Sequence, residues 1–306
     1  MADEITVLSP ATVSNVVCGF DCLGFALGEP RDRMKLRKID ERTVRIVHLD
    51  EFGLPVEAER NVAGVALQAF IREAELPHGF EVEITKTIKP GSGIGSSAAS
   101  ACGAVVAANY LMGERFSRAQ LVEIAMAGEM IASGSRHADN LAPCIYGGFT
   151  LVRSSEPVDV IELDFPDLYA TVVHPQVEVK TSEARAMLPR AVPLKDAVKN
   201  WSNLGAFVAG LAKGDTDLLV RSMIDTIVEP ARKRLIPMFD EVKVACIEAG
   251  AIGGGISGSG PSMFMLSADE PTAVSLDAVI RTVYANTEFD IKTYVSGIDR
   301  RGVVPA

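Results

Sequence analysis

Cysteine, histidine and tryptophan are scarce in this 306-residue chain, and the few present do not cluster. The five cysteines, Cys18, Cys22, Cys102, Cys144 and Cys246, form no C-x-x-C pair, and the four histidines lie far apart. A structural zinc site draws four convergent ligands, usually as close pairs, and none is in sight. The odd, scattered set reads instead as reduced thiols packed as small apolar groups in a cytoplasmic protein. Basic runs are also missing. Forty acidic against thirty basic residues leave a net charge of −10, so no positive surface is available to neutralise the phosphates of a nucleic acid. The most apolar stretch, Ala98 to Met112, is broken by Ser100 and Asn109 and is too short to span a bilayer. Met1-Ala2-Asp3-Glu4 is acidic where a secretory signal is basic, so no membrane partner and a cytoplasmic location are expected. With 48% apolar and 23% charged residues, the composition is that of a globular protein, and the length suggests about two domains.

Residues 5–13 and 43–49 alternate apolar and polar side chains, the period of half-buried strands, as do 80–85. Helical spacing marks 61–74, small residues fill a helix at 96–111, and Ser117 with Gln120 offers a capping box for a helix to about 131. A strand at 149–152 closes the first half. Turn chemistry at Ser154-Ser155-Glu156-Pro157 places a domain boundary there, dividing the chain into 1–155 and 156–306. The second half is expected to hold strands at 158–163, 169–174, 262–267 and 291–295. Its helices are expected near 182–188, 194–212, 215–227, 235–249 and 271–284, with a Gly-rich turn at 253–260. Strands and helices mix without strict alternation, which favours an α+β fold.

The sharpest feature is the string Pro90, Gly91, Ser92, Gly93, Ile94, Gly95, Ser96, Ser97, Ala98, Ala99, Ser100, which follows a strand and opens a helix. Its glycines let backbone N–H groups converge on one concavity, and the helix behind adds the positive end of its dipole. It is neither a Walker A loop, which needs Gly-Lys-Ser/Thr, nor part of a dinucleotide-binding unit, in which a parallel strand and not a second helix (118–131) would follow the first helix. A chance match to G-[IL]-G-S-S-A in a chain this long is on the order of one in ten thousand, too rare for a mere glycine turn. Glu129 is a carboxylate among Ala, Gly and Met, either an unusual inward acid or one on the solvated edge of its helix, like Glu123.

The loop resembles the phosphate-binding motif P-x-x-x-G-[LI]-G-S-S-A of the GHMP kinases, small-molecule kinases that use ATP. The segments Pro10–Gly24 and Gly254–Ser262 resemble two further signatures of that family, in the same order. Ser14–Gly24 and His137–Phe149 are similar to its homoserine kinase branch. The resemblance implies a two-domain fold, the first domain like ribosomal protein S5 domain 2 and the second ferredoxin-like, with ATP between them. It implies phosphorylation of the γ-hydroxyl of L-homoserine, a step of threonine biosynthesis; another small alcohol, such as mevalonate or shikimate, is the alternative. A homodimer is common in the family.

Residue by residue, the resemblance implies that the loop 90–100 and Asn61 bind the nucleotide. Ser97 and Glu129 would hold Mg²⁺. Asn15, Asp21, His137, Asn140, Thr181, Arg185, Arg232 and Gly258 would surround the substrate. Arginine grips a carboxylate with two prongs, and Asp21 suits an ammonium. Asn140 would orient the hydroxyl, with Asp139 the alternative as a catalytic base; for both, N-capping of the next segment is the structural alternative. The family reads Asn-Leu-Gly where this chain has Asn15-Val16-Val17, and a β-branched residue at the last place disfavours positive φ.

Overall fold

A computed structural model of the chain describes residues 3–134, 136–179 and 181–306, without the side chains of Ser133, Thr181 and Ser182. It opens with β1 (Glu4–Ser14), β2 (Leu23–Ile39) and β3 (Val44–His48), followed by α1 (Val62–Glu73) and β4 (Gly79–Thr85). Three helices come next: α2 (Ser96–Leu111), α3 (Arg118–Ser133) and α4 (Leu141–Tyr146). The hairpin of β5 (Phe149–Ser155) and β6 (Val158–Leu163) ends this half. In the rest of the chain β7 (Tyr169–Pro175) is followed by α5 (Thr181–Ala186), α6 (Leu194–Lys213), α7 (Thr216–Ser222), α8 (Glu229–Arg232) and α9 (Phe239–Glu248). Then come β8 (Gly253–Ile256), β9 (Met263–Ser267), α10 (Glu270–Tyr284), β10 (Ile291–Gly297) and β11 (Val304–Pro305). Among the described residues no helix is long and apolar enough to cross a membrane.

Two sheets organise these elements, as an α+β fold requires. The first has the order β11-β1-β2-β4-β3, with β5 on β2 and β6 on β5. The second is antiparallel in the order β10-β7-β9-β8. The sheets differ from the expected division in two places. Residues 158–163, expected after the boundary, pair with β5 and so extend the first sheet; β11 returns from the far end to pair with β1. Antiparallel pairing needs only a tight turn, and the turn residues at 156–157 close this hairpin. The strand β8 lies inside the expected Gly-rich turn, and the expected 215–227 helix stops at Ser222.

The 17-residue β2, absent from the periodicity reading, is the spine of the first sheet. It pairs with β1, β4 and β5. Along it Met34 and Leu36 are buried between exposed Arg33 and Arg37, but the inward residue two places earlier is Asp32, which interrupts the apolar period. Ser117 does cap α3 in a complete capping box with Gln120.

One apolar cluster joins the halves. Val13, Phe25, Ile94, Ala99 and Phe149 from the first half pack with Phe207, Leu211 and Phe264 from the second. Phe149 is its hub, with ring centroids 4.9 Å from Phe25, 5.2 Å from Phe165 and 6.1 Å from Phe207. Ile94 ties the phosphate loop into this cluster. Phe149→Ala is expected to cost about 3–5 kcal/mol, because it opens a cavity where the two sheets meet. Urea unfolding checks this: the midpoint falls while the slope is kept.

Candidate active site

A cavity of about 340 Å³ lies between the halves, bordered by the loop 90–97, the N-terminal loop after β1, the 137–140 segment and the turn at Gly258. The phosphate loop forms one wall. The hydrogen-bond ladder of α2 begins with Ala99 N donating to Gly95 O, so the amides of its first turn lie outside that ladder. In α1 and α3, on either side of it, Asn61 and Ser117 cap the first turn with a side chain, whereas Gly95 at the N-cap of α2 has none to offer. Those amides are left for an anion. Gly95 has φ +67°, and a Cβ there would sit 2.0 Å from Thr12 Oγ1. Only glycine satisfies both the angle and the space.

The turn at 257–262 supports the loop from behind. Ser257 Oγ donates to Gly93 O at 2.8 Å and Ser262 Oγ to Ser92 O at 2.6 Å. A Cβ on Gly93 would meet Gly260 O at 2.6 Å, so the two backbones touch. These serines carried no signal in the sequence beyond their place in a glycine-rich string.

Of the phosphate-loop residues, Pro90, Gly91, Gly93, Gly95, Ser96, Ser97 and Ser100 line the cavity. Ser92, Ile94, Ala98 and Ala99 do not; they are buried beneath it, and any contact to a nucleotide would have to come from their main chain. Ser96 Oγ donates to Ile88 O and so shapes the loop. Asn61 lines the cavity, yet its Oδ1 accepts from the amides of Ala63 and Gly64, and its Nδ2 donates to Pro55 O and meets His48 Nε2 at 3.1 Å. Its side chain is thus engaged in building the helix start. Ser97 Oγ donates to Glu129 Oε2 at 2.8 Å. Glu129 is half-buried at the cavity and Glu123 is exposed, so the two acids do not share a solvated edge. A hydroxyl and a carboxylate are hard oxygen donors of the kind Mg²⁺ prefers, with nucleotide oxygens and water to complete its shell.

Across the cavity the N-terminal loop is strained. Asn15, Val17 and Asp21 all have positive φ, at 57°, 47° and 57°. The expectation that a β-branched residue at position 17 would avoid this region is therefore not met. Val17 sits in the inter-half apolar cluster at 4% exposure, and that burial offsets a backbone cost of about 1–3 kcal/mol. Asn15 fastens the loop: its Oδ1 accepts from Asp21 N, and its Nδ2 donates to Gly258 O, both at 2.8 Å.

Three charged groups meet next to this loop. Asp21 is bridged by Arg185 at 3.0 Å, and the same guanidinium lies 2.9 Å from His137 Nε2. Arg232 is 2% exposed and lies 5.0 Å over the ring of Phe20. Its Nε donates to Ala184 O at 3.0 Å and one Nη makes a long 3.5 Å contact to Gly258 O. Among the described residues no carboxylate forms an ion pair with it. Burial, then the charge of Arg185, lowers its pKa, so it is a desolvated cation without a matched anion. The side chain of Thr181 lies outside the described residues.

Asn140 stands at the N-cap of α4, but its side chain caps nothing there. Instead Thr12 Oγ1 donates to its Oδ1 and its Nδ2 donates to Ser14 Oγ, both at 2.8 Å. One N–H and one lone pair remain, pointed by two hydroxyls that the sequence reading did not single out. Asp139 beside it is 4% exposed, and burial followed by the charge of Asp21 raises its pKa. Burial, Asp139 and Asp21 together push the thiol of Cys22 up to about 11, which keeps it protonated and unreactive.

Comparison with known proteins decides the lineage. Residues 61–148 match the family model described as GHMP kinases N terminal domain, and residues 205–286 match GHMP kinases C terminal. The chain belongs to the GHMP kinase family. Among curated GHMP-kinase relatives, homoserine kinase of Chlorobium phaeobacteroides is 42% identical over 95% of this chain and 96% of its own. That of Methanocella arvoryzae is 38% identical over 97% and 96%. The crystal structure of homoserine kinase from Cytophaga hutchinsonii superposes with a TM-score of 0.95 at 46% identity, covering 100% of this chain and 98% of that one. The mevalonate kinase of L. major shares the GHMP kinase fold at a TM-score of 0.72 and 16% identity.

The raised pKa of Asp139 has a consequence for stability. Well below pH 4 the carboxyl is protonated in both states. As pH rises, the unfolded chain ionises it freely while the folded chain resists, so stability is lost until the folded pKa is passed. Asp139→Asn, which does not ionise, lacks this loss. Its advantage over the wild type in urea midpoint is expected to widen from pH 4.5 towards neutrality and then level; a gap independent of pH would contradict the burial argument.

Proposed function

We propose that this protein transfers the γ-phosphoryl group of ATP to the side-chain hydroxyl of L-homoserine, forming O-phospho-L-homoserine and ADP, a step towards threonine. The relatives at about 40% identity over the whole chain support this reading. The observation that carries the substrate is Arg232, a buried guanidinium that no carboxylate among the described residues pairs, lining the same cavity as Asp21 and the phosphate loop.

An α-amino acid meets that wall charge for charge. Its carboxylate takes the bidentate donors of Arg232, and its ammonium takes Asp21, whose orientation Arg185 and Asn15 fix. A hydroxyl two carbons farther on then reaches towards Asn140, whose remaining lone pair and N–H hold it in one direction. The first-turn amides of α2 hold the polyphosphate from the other side. A divalent cation between Ser97 and Glu129 would supply charge neutralisation on the phosphoryl oxygens. In the transfer, the hydroxyl oxygen bonds to the γ-phosphorus as the bond to the β,γ-bridging oxygen breaks. The hydroxyl proton leaves to solvent or to a phosphate oxygen. A loose transition state needs little from a base, so positioning by Asn140 carries the step; Asp139, with its raised pKa, lies next to it.

The test is release of ADP over a panel of alcohols. L-homoserine is expected to turn over, and mevalonate and shikimate not; turnover of either without L-homoserine would overturn the substrate. Arg232→Ala is expected to raise the KM for L-homoserine about 30-fold or more, since it unpairs a buried charge. The KM for ATP should stay within about two-fold of wild type by the same reasoning. Glu129→Gln is expected to lower kcat about 100-fold or more without changing the melting temperature, and near-normal turnover would remove Glu129 from the metal site.

A further inference from the structure

Beneath the first turn of α2 lies a buried ion pair that the phosphate site, as described, does not call on. Lys86 directly follows β4, and its ammonium bonds the inward carboxylate of Asp32 on β2, the two side chains being 1% and 0% exposed. The same ammonium donates to Ser100 Oγ at 2.9 Å and to Ser96 O at 3.2 Å, which engages all three of its N–H groups. Asp32 is fixed in turn, its Oδ1 accepting from the amides of Thr87 at 2.8 Å and Ile88 at 3.0 Å. Lys86 borders the cavity and Asp32 does not, so the pair is a dipole with its positive end towards the nucleotide side.

For stability alone this is a poor arrangement. The N-terminal end of α2 already carries partial positive charge, and a cation in that turn opposes it. Burying two charges is costly, and apolar residues of similar volume often serve a fold as well. What gains from a cation there is an anion in front of the turn, where low dielectric strengthens the attraction. We propose that Lys86, held by Asp32, is a positioning residue for the polyphosphate. It is a fixed positive charge under the first turn of α2 that tightens anion binding through its field and clamps Ser96 O, without touching the ligand. It supplies from the segment just after β4 the lysine that the loop itself lacks. The inference rests on the kinase reading above.

Adenosine, ADP and ATP, titrated calorimetrically into the full-length chain, separate a field effect from mere support of the loop. The double variant Lys86→Met/Asp32→Asn removes both charges together and keeps an amide oxygen at position 32 for the Thr87 and Ile88 amides. Its Kd for ATP is expected to rise about ten-fold, that for ADP less, and that for adenosine by under about two-fold. Equal losses for all three ligands, or no loss for ATP, would overturn the proposal. Should thermal melting show the double variant unfolded, Lys86→Gln is read in the same series, and a wild-type preference for ATP over adenosine in that chain overturns it equally. A wild-type chain without affinity for ATP would instead bring down the kinase reading, and this inference with it.

Discussion

Everything in the site depends on two glycine turns pressed together across the boundary between the sheets. Gly93 lies so close to Gly260 O that a Cβ on Gly93 would sit 2.6 Å from it, and Ser257 and Ser262 take the carbonyls of Gly93 and Ser92. Those two carbonyls are thereby held by hydroxyls from the second half. Gly258 belongs to the same turn; its N donates to Ser14 O, and its O accepts from Asn15. One turn from the second half thus holds both the phosphate loop and the N-terminal loop across the cavity from it. The distance between donor and acceptor is set by main chain, which has few degrees of freedom to lose.

The charges follow the same logic of prior arrangement. The amides of α2, the Arg232 guanidinium and the Asp21 carboxylate are all held by neighbours before any ligand arrives. A site organised in this way does not need to reorganise during the reaction, and that is the main electrostatic advantage open to a phosphotransfer enzyme. The Asp21–Arg185 bridge is part-exposed, whereas Arg232 is buried. The strained N-terminal loop fits this picture. Left-handed backbone at Asn15, Val17 and Asp21 is kept because the Val17 side chain is packed into the core.

What the sequence made legible was local. The phosphate loop could be read because its chemistry depends on consecutive residues: glycines for the turn, small residues for the helix behind. Helices α1, α2 and α3 had sharp starts for the same reason. β2 escaped because its inward face carries Asp32 where the period calls for an apolar residue, and that carboxylate has a meaning only once Lys86 is beside it. Thr12 and Ser14 escaped because a hydroxyl on an alternating strand looks the same whether it faces water or an asparagine 128 or 126 residues away. Asn140 was expected to matter, but its alternative as a helix cap was removed only by seeing which way its amide turns. The pairing of β6 with β5 was not legible because turn residues look alike whether the next strand pairs back or starts a new sheet.

The serine at position 262 also bears on how the molecule comes into being. The phosphate loop is synthesised 164 and 170 residues ahead of the hydroxyls that steady it. A nascent chain can therefore form much of its first sheet and still be unable to grip a nucleotide. Competence arrives late and all at once, when the second turn reaches the first.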